Sequence, residues 1–269
     1  LAMREFRATL PAFGHPHRHY ARTDSTNTRA RELAAAGAPH GTVVTAFEQS
    51  EGRGRQGRTW TAPPGKSLLY SALLRPIDQR HALLPLAAPL AVCEAAEALR
   101  PGIDCRVKWP NDVHLDGRKL AGVLIEARPQ DGWAVIGVGL NLTIARAEFP
   151  PGLRDTATSL FTSPNPPLTE GGSHLGRIAS QMTTTPLGEP MLVDAAAALN
   201  ERLARWVEAD PGSVLAAWRE RDALRGREVE WEGGSGVADG VDERGYLVVL
   251  TAAGERVAVG AGEVHLTRF

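Results

Sequence analysis

Val113-His114-Leu115-Asp116-Gly117-Arg118-Lys119-Leu120-Ala121-Gly122 decides the fold. Asp-Gly between two arms of strand character is a two-residue hairpin signal, because both central residues of such a turn take positive φ. The second arm runs on as Val123-Leu124-Ile125-Glu126. Working outward, residues 106–109 read as a short strand before the hairpin. Residues 133–140 read as a strand after it, broken at Gly137 and Gly139. Residues 42–47 and 67–74 are further strands by their β-branched and apolar content. Strands joined by short turns predict an α+β fold with a mixed, largely antiparallel sheet and helices on one face.

Four helices are expected. Residues 28–36 follow the polar group Asp24-Ser25-Thr26-Asn27 and end at Gly37, the pattern of an N-cap and a C′ glycine. Residues 81–99 are apolar and alanine-rich, with Pro85 and Pro89 blurring the start. Residues 192–208 place Leu199, Leu203, Trp206 and Val207 at helical spacing, and residues 214–224 make the last helix. Residues 150–190 are rich in Pro, Gly, Ser and Thr and read as the least structured part. From Arg227 onward five short strands alternate with Gly and Asp/Glu turns, which predicts a small all-β barrel. The domains are therefore expected at residues 1–224 and 225–269.

The chain has 269 residues and a formal net charge of −1. A nucleic-acid binder is usually strongly basic, so specific DNA binding is not expected. No apolar run approaches the roughly 20 residues of a membrane span. The polar, His-rich start does not read as a secretory signal. Cys93 and Cys105 are the only cysteines and lack CxxC spacing, so a reduced, cytoplasmic protein is expected. His15, His17 and His19 alternate and could hold a metal from one strand face, although no carboxylate or Cys accompanies them.

The chemistry gathers at strand ends. Gly52-Arg53-Gly54-Arg55-Gln56-Gly57-Arg58-Thr59-Trp60 follows the strand that ends in Glu48-Gln49. Glycines let backbone approach a ligand, their free N–H groups form an anion nest, and arginine forks grip phosphate or carboxylate. The same composition suits a surface turn or a nucleic-acid segment. The Asp24–Asn27 cluster can cap a helix or hold a polar ligand at its N-terminus. Lys108-Trp109-Pro110-Asn111-Asp112 follows another strand, Lys119 and Gly122 lie on the hairpin arm, and Asn141 ends a third strand. Asn111 and Asp112 offer oxygens to Mg²⁺, which takes one or two carboxylates together with substrate phosphates. These residue types point to a magnesium nucleotide.

These motifs resemble, in order and spacing, those of the biotin protein ligases. The matching pieces are Asp24-Ser25-Thr26-Asn27, the loop 52–60, the Lys108–Asp112 run and Arg118-Lys119-Leu120-Ala121-Gly122. Gly137-Val138-Gly139-Leu140-Asn141 and Ala157-Thr158-Ser159-Leu160 complete the series. The resemblance implies a catalytic domain like that of class II aminoacyl-tRNA synthetases and lipoate ligases, with a small SH3-like domain behind it. It implies activation of biotin by ATP to biotinyl-5′-AMP, then transfer to a lysine of the biotin carboxyl carrier domain of an acyl-CoA carboxylase.

By that resemblance Ser25, Thr26, Asn27 and Gln49 hold the ureido ring with Gly52, Arg53 and Gly54, and Gly122 leaves room for the thiophane ring. Arg55, Lys108 and Lys119 are the catalytic cations at the phosphates and the biotin carboxylate, with Arg58 beside them. Trp60 and Asn141 contact the adenine side, and Asn111 and Asp112 place Mg²⁺. Larger members begin with a winged-helix domain, and only 23 residues precede Asp24, so a monofunctional ligase is expected, a monomer or weak homodimer. Residues 162–190 depart from the family pattern. The rival readings are a lipoate or octanoate ligase, a non-catalytic biotin sensor and a nucleic-acid-binding module.

Overall fold

The computed structural model describes residues 13–161, 189–260 and 265–266. The first twelve residues and the Pro- and Gly-rich residues 162–188, where the departure from the family pattern falls, lie outside the described residues. The hairpin forms as its sequence dictates. β5 (Asp112–Leu115) and β6 (Arg118–Arg128) pair antiparallel around Asp116 and Gly117, whose φ values are 52° and 74°. β4 (Cys105–Lys108) pairs with β5, and β7 (Trp133–Asn141) pairs with β6. β3 (Ser67–Leu74) lies on the other side of β7, followed by β2 (Val43–Gln49) and β1 (His17–Thr23). Only β1 and β2 run parallel in this seven-stranded sheet, so it is mixed and largely antiparallel.

β7 is continuous through Gly137 and Gly139, in contrast to the expected break. It is hydrogen-bonded on both sides, to β3 and to β6, and a paired neighbour on each edge holds glycine in extended backbone. Those glycines are dictated by what lies above them. An added Cβ at Gly137 would sit 2.0 Å from Asn27 Oδ1, and one at Gly139 2.3 Å from Trp60 Cε2.

Three helices cover one face: α2 (Leu84–Leu99), α3 (Glu189–Val207) and α4 (Pro211–Glu220). Their apolar sides bury Val43, Tyr70, Ala72, Leu74, Ile136 and Val138 of the sheet. Pro85 sits in the first turn of α2, where its missing N–H has no partner to lose. The stretch Gln79–Leu99 is long and apolar enough to cross a membrane, contrary to the expectation of no such run. It is 67% buried in this fold, as the core helix on which the sheet rests.

The expectation of helices on one face holds for α2, α3 and α4 and is corrected for α1 (Thr26–Ala35). Ala30 and Ala34 of α1 pack on Val44, Leu73, Trp133 and Val135, which alternate with the residues under α2 and so face the other way. Helix α1 is short and covers only one end of that face. The uncovered remainder is the floor of the site.

A second sheet follows α4. β8 (Glu228–Trp231), β9 (Gly234–Val241), β10 (Leu247–Leu250), β11 (Arg256–Val259) and β12 (His265–Leu266) form five antiparallel strands in the order β11-β10-β9-β8-β12. Val229, Val241, Leu247 and Val249 join the same hydrophobic core, and Trp109 Nε1 donates to Gly245 O at 3.0 Å.

Candidate functional site

Period-two alternation puts Ser71 and Leu69 of β3, Gly137 and Gly139 of β7, and Gly122 and Leu124 of β6 on the uncovered face. Gly122 pairs directly with Gly139, and Leu124 with Gly137. Three of these four paired positions are glycine, so the two neighbouring strands present a strip in which only Leu124 carries a side chain. Above it lies a cavity of about 240 Å³.

One wall is the N-terminus of α1. Ser25 occupies the N-cap position without a side-chain cap bond. The cap comes instead from β2: Gln49 Oε1 accepts from Thr26 N–H at 2.7 Å and from Thr26 Oγ1 at 2.9 Å. Asp24 accepts from Ser25 N–H and pairs with Arg29 at 2.7 Å, and that bond to arginine, against the effect of burial, holds its carboxyl down at about 2. Ser25, Thr26 and Asn27 are thereby buried with their side chains over the floor.

The roof is the loop 52–60, a small hairpin. Trp60 N–H donates to Gly52 O at 2.9 Å and Gly54 N–H to Arg58 O at 2.7 Å. Gly52 is required because a Cβ there would lie 2.2 Å from Trp60 O. The tip turns through Gln56 and Gly57, with φ of 53° and 74°. Arg53 pairs with Glu126 at 3.2 Å and Arg55 donates to Asn111 Oδ1 at 3.3 Å, so the roof is tied down on both sides. The Trp60 ring drops onto Gly139 and Gly122, with its Nε1 buried and unbonded.

The far wall carries charge. Lys119 Nζ lies 2.8 Å from Asp112 Oδ1 and 5.8 Å from the centroid of the Trp60 ring. A bulge places it there: Val113 pairs with Ala121 and His114 with Lys119, leaving Leu120 as an extra residue. Leu120 and Ala121 both enter the core, and the change of phase turns Lys119 onto the cavity side. Burial holds the neighbouring His114 at about 4, despite the pull of Asp112, so its imidazole is neutral at pH 7.

Ser25, Thr26, Asn27, Gln49, Arg53, Gly54, Arg55, Arg58, Trp60, Asn111, Asp112, Lys119, Gly122 and Asn141 all line this one cavity. Gly52 and Lys108 do not. Gly52 is packed behind Trp60, and Lys108 lies opposite Asp112 across the β4–β5 ladder.

The chain matches two family models. Residues 20–142 match the biotin/lipoate A/B protein ligase family, and residues 226–266 match the biotin protein ligase C-terminal domain. The biotin–[acetyl-CoA-carboxylase] ligase of Mycobacterium tuberculosis is 37% identical over 259 residues, covering 91% of this chain and 87% of that protein. The chain belongs to the biotin protein ligase family. The Paracoccus denitrificans enzyme of the same name is 33% identical over 91% of this chain and 98% of its own. The biotin protein ligase of Aquifex aeolicus, solved with biotin and ATP, superposes with a TM-score of 0.70 at 27% identity, covering 94% of this chain and 99% of that one.

Within the family frame, the sequence did not point to Ser71. Ser71 is fully buried and reaches both Thr26 Oγ1, at 2.8 Å, and Asn27 Oδ1, at 2.6 Å. A serine in the middle of the otherwise apolar run Leu68–Leu74 was its signal. Asn141 uses its amide on Ser67 and on Thr158 O, at 3.3 and 3.0 Å, so it fixes the wall it lines. Residues 156–160 complete that wall: Lys119 N–H donates to Thr156 O, and Thr158 N–H donates to Lys119 O. His17 and His19 both reach Thr45 Oγ1, at 2.8 and 2.9 Å, and no group of three metal-ligating side chains occurs among the described residues.

Proposed function

We propose that biotin and ATP meet in the cavity under loop 52–60, and that this chain joins biotin to a lysine of a carboxylase carrier. The supporting observation is one cavity with two unlike ends. Ser25, Thr26, Asn27 and Gln49 supply a dense set of donors and acceptors over a floor rich in glycine, with the buried Ser71 bonded to Thr26 and Asn27. A ureido ring, with two N–H donors and one C=O acceptor, suits the first end, and an apolar thiophane suits the floor. Arg55, Arg58 and Lys119 supply positive charge at the other end, where a carboxylate and a triphosphate must be brought together.

In the first step an oxygen of the biotin carboxylate attacks the α-phosphorus of ATP. The bond from that phosphorus to the bridging oxygen breaks, and pyrophosphate leaves. In the second step a carrier lysine, as the free amine, attacks the carbonyl of biotinyl-5′-AMP. An amide forms, AMP leaves, and the amine loses a proton. No covalent intermediate on the protein is needed, since positioning and charge stabilisation carry this chemistry. The loop covers the mixed anhydride and keeps water from it.

Lys119 is paired with Asp112 at 2.8 Å, and an arriving carboxylate and phosphate compete for that ammonium. Asp112 then becomes a single carboxylate for Mg²⁺, which commonly binds one or two carboxylates plus substrate phosphates. Mg²⁺ held there would supply positive charge to the phosphates. Asn111 fits less well, because its amide already joins Arg55 to Val123 O at 2.6 Å. Lys108 lies outside the cavity wall, so the proposal carries Arg55 and Lys119 as the cations at the reacting atoms.

With ATP, Mg²⁺ and biotin, the purified protein is expected to release pyrophosphate and retain biotinyl-5′-AMP. It is expected to modify one lysine when a biotin carrier domain is added. Lipoate or octanoate should give far less pyrophosphate. Folded protein that forms neither product at saturating biotin and ATP would overturn this reading, and preferred release with lipoate would move it to the related ligases. Biotin bound under the roof should also slow tryptic cleavage after Arg53, Arg55 and Arg58. Equal cleavage rates with and without saturating biotin would remove the loop from the site.

A further inference from the structure

Glu126 ends the row Gly122, Leu124, Glu126 on the cavity side of β6, and its side chain is 21% exposed. Its Oε2 accepts from Asn27 Nδ2 at 2.9 Å. Its Oε1 takes Arg31 at 2.9 Å and the loop's Arg53 at 3.2 Å. A carboxylate accepts only, so Asn27 must offer it the NH₂ and turn its Oδ1 toward Ser71. Ser71 Oγ, 2.6 Å away, has one proton and gives it to that oxygen. Thr26 Oγ1, 2.8 Å from Ser71 Oγ, spends its own proton on Gln49 Oε1 and so stands as a second acceptor for the Ser71 proton. Glu126 thus fixes the Asn27 amide at one end and Gln49 fixes the Thr26 hydroxyl at the other, with the single Ser71 proton between them.

We propose that Glu126 is the positioning residue that sets the hydrogen-bond polarity of the biotin pocket. This rests on the reading that Thr26, Asn27 and Gln49 hold the ureido ring. Replacing Glu126 by glutamine keeps the shape and reverses the polarity. The two guanidiniums can only donate, so they keep the new carbonyl oxygen, and the new NH₂ turns toward Asn27. Two NH₂ groups cannot face each other. Asn27 therefore turns over, and Ser71 has to donate toward Thr26. The cavity keeps its volume and offers the ureido group a different set of donors and acceptors.

The test measures KM for biotin and for ATP, and kcat, in pyrophosphate release by Glu126→Gln, Glu126→Asp, Asn27→Ala and the double variant Asn27→Ala/Glu126→Gln. Glu126→Gln is expected to raise the biotin KM about tenfold, the order of effect of mispairing a buried polar group. The ATP KM and the melting temperature should stay near the parent's. Glu126→Asp, shorter but acceptor-only, should lie closer to the parent than glutamine does. A residue that mattered only for packing would show the opposite order, because glutamine matches the shape. In the Asn27→Ala background Glu126→Gln should add little. The proposal falls if Glu126→Gln leaves the biotin KM unchanged, if aspartate is worse than glutamine, or if the two losses add in full. If Asn27→Ala itself leaves the biotin KM unchanged, the reading of the ureido pocket falls, and the proposal with it.

Discussion

Lys119→Ala should slow adenylate formation by about 10²–10³ while the protein stays folded, because one fixed charge at a developing anionic centre is worth roughly 2.7–4 kcal/mol. The bulge at Leu120 turns Lys119 onto the cavity, and the Gly122 floor lies within van der Waals reach, a Cβ there standing 3.4 Å from Nζ. The biotin carboxylate and the α-phosphate repel as they approach. A cation held between them lowers that repulsion more in the transition state than in either bound substrate. Lys119→Arg should recover only part of the rate, since a planar fork cannot occupy the point of an ammonium. Single-turnover adenylation with pre-bound biotin and ATP is the measurement. A rate for Lys119→Ala within about threefold of the parent, far short of the expected loss, would take Lys119 out of the chemistry.

Gly139→Ala should raise the biotin KM by about 5- to 150-fold. Its Cβ would lie 2.3 Å from Cε2 of Trp60 and 2.7 Å from two further ring atoms. An indole ring cannot yield as the end of a flexible side chain does, so the ring and the loop carrying it must lift. Overpacking of this kind costs about 1–3 kcal/mol, and each 1.4 kcal/mol is about tenfold in affinity. The loop is tied down by Arg53 on Glu126 and Arg55 on Asn111, both of which a lifted loop strains. Trp60→Phe in the Gly139→Ala background should restore part of the affinity, because the smaller ring clears the methyl. Thermal melting should change little in either variant, since the clash is with a roof and not with the core. A biotin KM for Gly139→Ala within about twofold of the parent, below the smallest overpacking cost, would show that Trp60 does not rest on that floor during turnover.

Much of the fold was legible because its signals are local. Asp116-Gly117 fixed a turn by backbone conformation alone. Apolar runs fixed β3 and α2, and the change of pattern near Arg227 marked the second sheet. The limits came from packing. Which side of the sheet α1 covers depends on Ala30 and Ala34 meeting Val44 and Leu73, and no property of residues 26–35 alone contains that. The glycines of β7 read as breaks because a strand interior loses stability with glycine. They are retained because Asn27 and Trp60, distant in sequence, need the space.

The site divides in the same way. The chemistry was legible in residue order: a glycine-arginine loop, a polar helix start, a Lys108–Asp112 run and a hairpin lysine, in the order of a biotin ligase. Residue types and spacing suffice for that, because they limit which groups are available. Which of them share one cavity, and which way they point, follows from packing and strand register. Strict alternation along β6 would send Lys119 into the core and Leu120 onto the cavity; one bulged residue reverses both, since a strand's period is two. Lys108, equally basic, is left off the wall. Glu126 reads in sequence as the charged end of a strand, and it gains its place in the site only because β6, α1 and the loop converge on its carboxylate.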